Sequence, residues 1–300
     1  MDEIAHPNVA ALLDLLEVRE QGDGVFVGAP ADDAAGRSRV FGGQVIGQAL
    51  AAASFTVTED RHCHSLHAYF VRPGKPGRPI EYEVSAIYEG KQFATRKVAA
   101  VQRNELICEL TASFTDAISG ADHQHDMPET PPPEAFPSEA ERIASALATA
   151  RDEVRPMLEL QLQQSPFEVI YVDPHSFGAQ RASSQPLRRW LRVRAQLPEH
   201  AQLQRCLLAY MSDGGAIEPS LRAIGGRFGD PMLQLASLDH ALWFHRPFRC
   251  DQWLLGVFDS PSVAASRGFN RGSIFTRDGV LIASVAQEAF VRTRDAESAR

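Results

Sequence analysis

The 300-residue sequence has only four cysteines, and none of them sits in a CxxC pair. Cys63, Cys108, Cys206 and Cys250 are scattered, which argues against both a zinc site and a disulfide framework. Reduced thiols in a cytoplasmic protein are the expectation. No secretory leader is expected, and the closing Glu297-Ser298-Ala299-Arg300 is not a Ser-Lys-Leu address, so a peroxisomal location gains no support. Apolar runs are short too, none nearing the ~18 residues of a spanning helix. Positive charge is in deficit, with 30 Lys and Arg against 38 Asp and Glu and a net charge of -8. That balance offers no basic stripe to a phosphate backbone, so nucleic acid is not an expected partner, although Arg188, Arg189, Arg192 and Arg194 cluster locally. The histidines lack ligand spacing such as HExxH. His240 and His245 fall at odd spacing on one predicted strand, hence on opposite faces, and neither a metal nor another cofactor is expected.

What the chain does have is 44% apolar content, enough for one large core or two fused ones, and a motif written twice. Tyr69-Phe70-Val71-Arg72-Pro73 is answered by Trp243-Phe244-His245-Arg246-Pro247 at an offset of 174. Phe93 and Phe114 are answered by Phe269 and Phe290 at 176. Repeats in fixed order mean one structural unit used twice. Function is then expected where the copies diverge.

The spacing predicts a capping helix over 9–18, a strand over 25–28, and a buried helix over 45–54 opened by Phe41-Gly42-Gly43-Gln44. Four strands follow, over 65–71, 80–88, 93–102 and 106–115, giving a five-stranded antiparallel sheet around a helix. A Pro-rich spacer at 126–133 ends this unit, and Ser138 with Glu141 forms a capping box for a connecting helix to about 150, with a restart after Pro156. The pattern then resumes with strands over 167–172 and 190–195 and an apolar segment over 203–211. Ser212-Asp213-Gly214-Gly215 is read as a helix start, followed by strands over 238–245, 252–260, 268–276 and 280–290. The expected division is an N-terminal unit 1–125, a linker and helix 126–165, and a C-terminal unit 166–300. One helix on one sheet leaves apolar surface uncovered, so the two sheets are expected to join edge to edge or wrap around each other.

Three polar residues belong to the second copy alone. Asp213 reads by itself as an N-cap, but its expected counterpart beside Gly42-Gly43 is Phe41. Ser237 precedes the strand Leu238-Asp239-His240, where a turn serine is the plain reading. Gln287 is placed opposite Thr111; a strand-end Gln usually faces water, yet alternation from Val285 and Ala289 sets it on their face. An acid, a hydroxyl and an amide together can hold one water, with the acid accepting its proton and the other two aiming its lone pairs at an electrophile.

Phe41-Gly42-Gly43-Gln44-Val45-Ile46-Gly47-Gln48-Ala49-Leu50, His64-Ser65-Leu66-His67-Ala68-Tyr69-Phe70-Val71-Arg72-Pro73-Gly74 and Leu238-Asp239-His240-Ala241-Leu242-Trp243-Phe244-His245-Arg246-Pro247-Phe248 resemble the acyl-CoA thioesterase II family, over about 9–292. The resemblance implies an α+β double hotdog, two tandem units each with a long helix wrapped by an antiparallel sheet. It implies hydrolysis of fatty acyl-CoA to free acid and CoA. The family's Asp in a Tyr-x-Ser-Asp context is matched by Asp213, its Thr or Ser by Ser237, and its Gln-Glu by Gln287-Glu288. Ser237 keeps the hydroxyl of a Thr without the methyl that stiffens its rotamer. Gly42 and Gly43, at a helix N-terminus, are expected to present amides to the substrate oxyanion, and His64 is expected near the pocket. A hotdog enoyl-CoA hydratase would need an Asp and His dyad on one segment, which does not follow Asp213. A non-catalytic acyl-CoA binding protein would not need the three polar residues together. An assembly subunit would use Arg192 and Arg194 against a partner. Exposed sheet edges make a homo-oligomer the expectation.

Overall fold

The computed structural model describes residues 6–30, 38–149, 155–156, 159, 165–173, 182–228, 230 and 232–293. Small residues set the centre of the molecule. Helix α1 is Pro7–Leu16, and α2 is Gly42–Ser54, buried continuously from Gly43 to Leu50 as an all-round small and apolar sequence requires. Its two buried glutamines are bonded: Gln44 Nε2 donates to the Ala29 carbonyl at 3.2 Å, Gln48 Nε2 donates to the same carbonyl at 3.0 Å, and Gln48 Oε1 accepts from the Tyr82 hydroxyl at 2.6 Å. The third helix, α3, is Glu139–Thr149, begun by the expected capping box: the Ser138 amide donates to Glu141 at 2.8 Å and the Glu141 amide to Ser138 Oγ at 3.3 Å. Helix α4 is Ala201–Asp213 and α5 is Glu218–Ala223.

The first-half strands are β1 (Val18–Gly22), β2 (Val25–Gly28), β3 (His62–Phe70), β4 (Ile80–Glu89), β5 (Phe93–Gln102) and β6 (Glu105–Thr115). Those of the second half are β7 (Phe167–Tyr171), β8 (Leu187–Val193), β9 (Leu233–Ser237), β10 (Asp239–Phe244), β11 (Leu254–Ala264), β12 (Arg267–Thr276) and β13 (Leu281–Thr293). All form one sheet, ordered β1-β2-β4-β5-β6-β3-β10-β13-β12-β11-β8-β7, with β9 on the end of β13. Every pairing is antiparallel, and the halves join edge to edge at β3 and β10. Counted outward from that seam, the two arms carry equivalent strands in the same order. The repeat is visible in the register: Tyr69 pairs with Asp239, and moving each by 174 positions gives the pair Trp243 and Ser65, which is also present.

The long helices α2 and α4 pack antiparallel, the amide of Gly43 meeting Asp213 at one end and Gln202 donating to Ser54 at the other. Both are 13 residues long, and their backbones approach where side chains vanish: a Cβ on Gly43 would lie 2.3 Å from the Tyr210 carbonyl oxygen. One core unites α1, α2, α4 and the inner sheet face, including Leu66, Ala68, Leu242 and Val285 on the central strands.

Several elements depart from expectation. The apolar segment 203–211 is helix α4 itself, so Ser212-Asp213-Gly214-Gly215 closes a helix instead of opening one. His200 Nδ1 caps its start, and Gly214 ends it in extended backbone, followed by Gly215 at φ +75°. Two strands, β1 and β9, were not expected; β1 is charged and exposed after Val18. The first unit therefore has six strands, and its opening helix stops at Leu16. The Pro-rich spacer lies along the second half, Trp190 Nε1 donating to the Pro131 carbonyl at 2.9 Å. Most of the expected restart after Pro156 lies outside the described residues.

Candidate active site

Gln287 faces inward. Burial alternates along β13, with Val285, Gln287 and Ala289 buried and the residues between them less so, which overturns the water-facing reading. Its counterpart in the first half is Ala112, not Thr111. His67 pairs with Thr111, and the residue 174 positions after His67, Ala241, pairs with Ala286. A slip of one residue exchanges faces, so the comparison moves from a half-buried Thr to a buried Ala.

Around Gln287 the chain switches strands. β9 ends at Ser237, which pairs with Ala289, and β10 begins at Asp239. Between them Leu238 donates its amide to the Glu288 carbonyl at 2.9 Å, while the Asp239 carboxylate accepts from the Glu288 amide at 2.6 Å. This break places Ser237 on one side of Gln287 and His240 on the other.

The carboxamide joins the expected set. Gln287 Nε2 donates to Ser237 Oγ at 2.7 Å and to Asp213 Oδ1 at 3.2 Å. Asp213 Oδ2 accepts the Gly43 amide at 2.9 Å. Asp213 thus caps a helix, as the plain sequence reading held, but the helix is α2 of the other half, whose own N-cap Phe41 has no side chain to do so. Burial raises the pKa of Asp213, opposed in turn by His240 and by hydrogen bonds from Gln287, Gly43 and Ser237.

Of the other expected residues, Gly42 and Gly43 lie at this site. A Cβ on Gly42 would stand 2.8 Å from Asp213 Oδ2, so the position has no room for one. The Gly43 amide is committed to the carboxylate. His64 lies elsewhere: its Nε2 bonds Ser113 Oγ at 2.9 Å, its ring meets Phe93 edge-on, and burial lowers its pKa. It is four residues along β3 from Ala68, the partner of His240, or about 13 Å of strand. The Arg cluster is spent within the chain: Arg188 pairs with Asp173, Arg192 with Glu168 and Arg194 with Glu139, while Arg189 donates to the Gly214 carbonyl. No cysteine offers a thiolate, since burial raises all four, Cys108 and Cys206 to about 12. Two residues not foreseen here are Ser212 and fully buried His240, which meets Gln287 Oε1 at 2.6 Å.

Comparison with known proteins decides the family. A family model described as acyl-CoA thioesterase matches residues 160–290, and another, the acyl-CoA thioesterase N-terminal domain, matches 30–115. The acyl-CoA thioesterase 2 of Haemophilus influenzae is 36% identical over 94% of this chain and 96% of its own. The chain belongs to the acyl-CoA thioesterase II family. Human acyl-coenzyme A thioesterase 8 is 37% identical, covering 85% of this chain and 81% of that one. Among solved structures, an acyl-CoA thioesterase II from Mycobacterium marinum superposes with a TM-score of 0.75 at 32% identity, covering 95% of this chain and 98% of the other. A protein from Alicyclobacillus acidocaldarius described as having a hot dog fold, at 18% identity and TM-score 0.74, shares the fold. This acyl-CoA thioesterase II family member is thus a double hotdog, as its sequence resemblance implied.

Proposed function

We propose that the protein hydrolyses fatty acyl-CoA to free fatty acid and CoA, with Asp213, Ser237 and Gln287 activating one water. The family carries the reaction; the observation that supports these residues is the single nitrogen Gln287 Nε2, shared by the Asp213 carboxylate and the Ser237 hydroxyl. A water entering this cluster finds an acceptor in Asp213 and an orienting hydroxyl in Ser237, while the Gln287 amide holds those two groups in place. Water oxygen bonds to the thioester carbonyl carbon while Asp213 takes its proton. The tetrahedral intermediate then collapses, the carbon–sulfur bond breaks, and the departing thiolate recovers the proton from Asp213. The raised pKa of Asp213 suits both transfers. The Gly43 amide holds the carboxylate in place, leaving Gly42, at the same positive end of α2, as the proposed backbone contact to the oxyanion.

The assignment favours water activation over simple acyl-CoA binding because a binding tunnel does not require a buried carboxylate. A hydratase dyad is disfavoured because Gln287 stands between Asp213 and His240. Four free, buried cysteines support a cytoplasmic setting, and a homo-oligomer is proposed from the exposed edge strand β1. The units are proposed as 1–125 and 166–300, joined by 126–165.

A thiol-release assay with short to long acyl-CoA tests the reading. Asp213→Asn is expected to lower kcat by about 10²- to 10⁴-fold, the usual range for a lost general base. Equal rates in both proteins would remove Asp213 from the reaction, and no release by wild type at any chain length would favour a binding role.

A further inference from the structure

A side-chain amide is nearly symmetric in shape, so something must decide which end of Gln287 faces the carboxylate. An ionised Asp accepts hydrogen bonds and donates none, so the nitrogen must point to Asp213 and Ser237. The carbonyl end then faces His240 Nδ1 at 2.6 Å, and that nitrogen must carry a hydrogen. On the far side of the ring, His240 Nε2 meets Ser212 Oγ at 2.9 Å, and Ser212 also lies 3.0 Å from the Ala209 carbonyl. Ser212 directly precedes Asp213, so the chain of contacts from Asp213 through Gln287, His240 and Ser212 returns to the last turn of α4.

The first half shows what the fold needs in its absence. The repeat relates His240 to Leu66 and Gln287 to Ala112, and Leu66 pairs with Ala112 on the equivalent strands. Both are fully buried in the core. The fold therefore accommodates an apolar pair here, and the polar pair belongs only to the half that carries Asp213 and Ser237. Burying an imidazole and a carboxamide without a role to play is costly when apolar residues suffice.

We propose that His240, held by Ser212, is the positioning residue of the site: its Nδ1–H locks the Gln287 carboxamide with both amide hydrogens toward Asp213 and Ser237. This rests on the water-activating role proposed above. In its absence the amide turns over freely, and its carbonyl opposes the carboxylate that it should help to aim.

Three measurements decide it. His240→Leu, which copies Leu66, is expected to lower kcat by about 10- to 100-fold, the loss seen when outer partners of metal ligands are removed, with little change in KM. His240→Asn, which returns an N–H near the Nδ1 position, is expected to recover most of that loss. On a Gln287→Ala background, where there is no carboxamide to hold, His240→Leu is expected to have no further effect on kcat. Wild-type kcat in His240→Leu, no recovery in His240→Asn, or an undiminished effect in the double variant would each overturn the proposal. Should His240→Leu not fold, nitrogen NMR of histidine-labelled wild type still decides: a protonated Nδ1 is expected, and a bare Nδ1 overturns it. An inactive Asp213→Asn beside a fully active His240→Leu sinks this inference alone, whereas a fully active Asp213→Asn sinks the water-activating role of Asp213 on which it rests.

Discussion

At the residue scale the site turns on one buried carboxylate whose pKa is raised by loss of water and restrained by its donors. The reaction needs it ionised, so kcat/KM is expected to fall as pH drops through a value above the ordinary ~3.9 of Asp. A pH–rate profile checks this, and an acid limb at or below that ordinary value would contradict it. Stability runs the other way. The folded state binds this proton more tightly than the unfolded state does, so the contribution of Asp213 is fully present below ~3.9 and is lost as pH rises through the folded pKa. Ser237 offers a second test: Ser237→Thr is expected to keep activity, because it retains the hydroxyl that Gln287 contacts at 2.7 Å, while Ser237→Ala is expected to lose roughly tenfold or more in an acyl-CoA assay. The Asp, Ser and Gln were legible as polar residues of the second copy, but the counterparts set against two of them do not hold: Gln287 answers Ala112, and Asp213 closes its helix where Phe41 precedes the start of the other. His240 was legible too, as a polar residue sharing the inward face of its strand with Leu242 and Phe244, but a lone histidine on an apolar face carries no signal of its partner. That partner lies 47 positions away.

At the scale of elements the decisive contact is the seam between α2 and α4. Long antiparallel strands announced themselves through alternation and turns, whereas β1 escaped because a charged exposed strand shows little alternation. The end of α4 was misread for a different reason: Asp followed by two glycines satisfies the signature of a helix start and of a helix stop equally well, and only the length of the preceding apolar segment separates them. Gly43 serves the seam and the site together. Its missing side chain lets α2 approach the Tyr210 carbonyl, and its amide holds Asp213. Gly43→Ala is therefore expected to destabilise the protein by about 1–3 kcal/mol in urea melts, as overpacking does, and to lower kcat as the carboxylate shifts. Gly47→Ala is expected to be milder, because the nearest atom is the end of the flexible Leu16 side chain, at 2.7 Å. Equal losses in both variants would show that the seam, and not the amide of Gly43, sets the effect.

At the scale of the molecule, duplication leads to the expectation that neither half works alone. The second half supplies the acid, hydroxyl and amide, but the first supplies the helix whose N-terminus receives Asp213 and the strand that covers β10. Separation would expose the Leu66 and Leu242 faces and leave both central strands as open edges. The spacer belongs to the second half, since Trp190 and Arg194 hold residues 131 and 139 to it, and the residues just before it already cross over: Arg246 pairs with Asp122, and Leu281 donates its amide to Gln124 at 2.9 Å. Expressed as two chains, 1–125 and 126–300, neither piece is expected to release thiol from acyl-CoA, and the co-expressed pair is expected to regain activity. Reassembly has a strong driving force, because the β3–β10 seam and the α2–α4 contact are buried together in one core. Full wild-type kcat from 126–300 alone would mean that the Gly43 amide and the first sheet are dispensable. Partial activity that rises with added 1–125 would instead report the affinity of the two halves for each other, with the concentration at half-maximal rate measuring how tightly the seam closes.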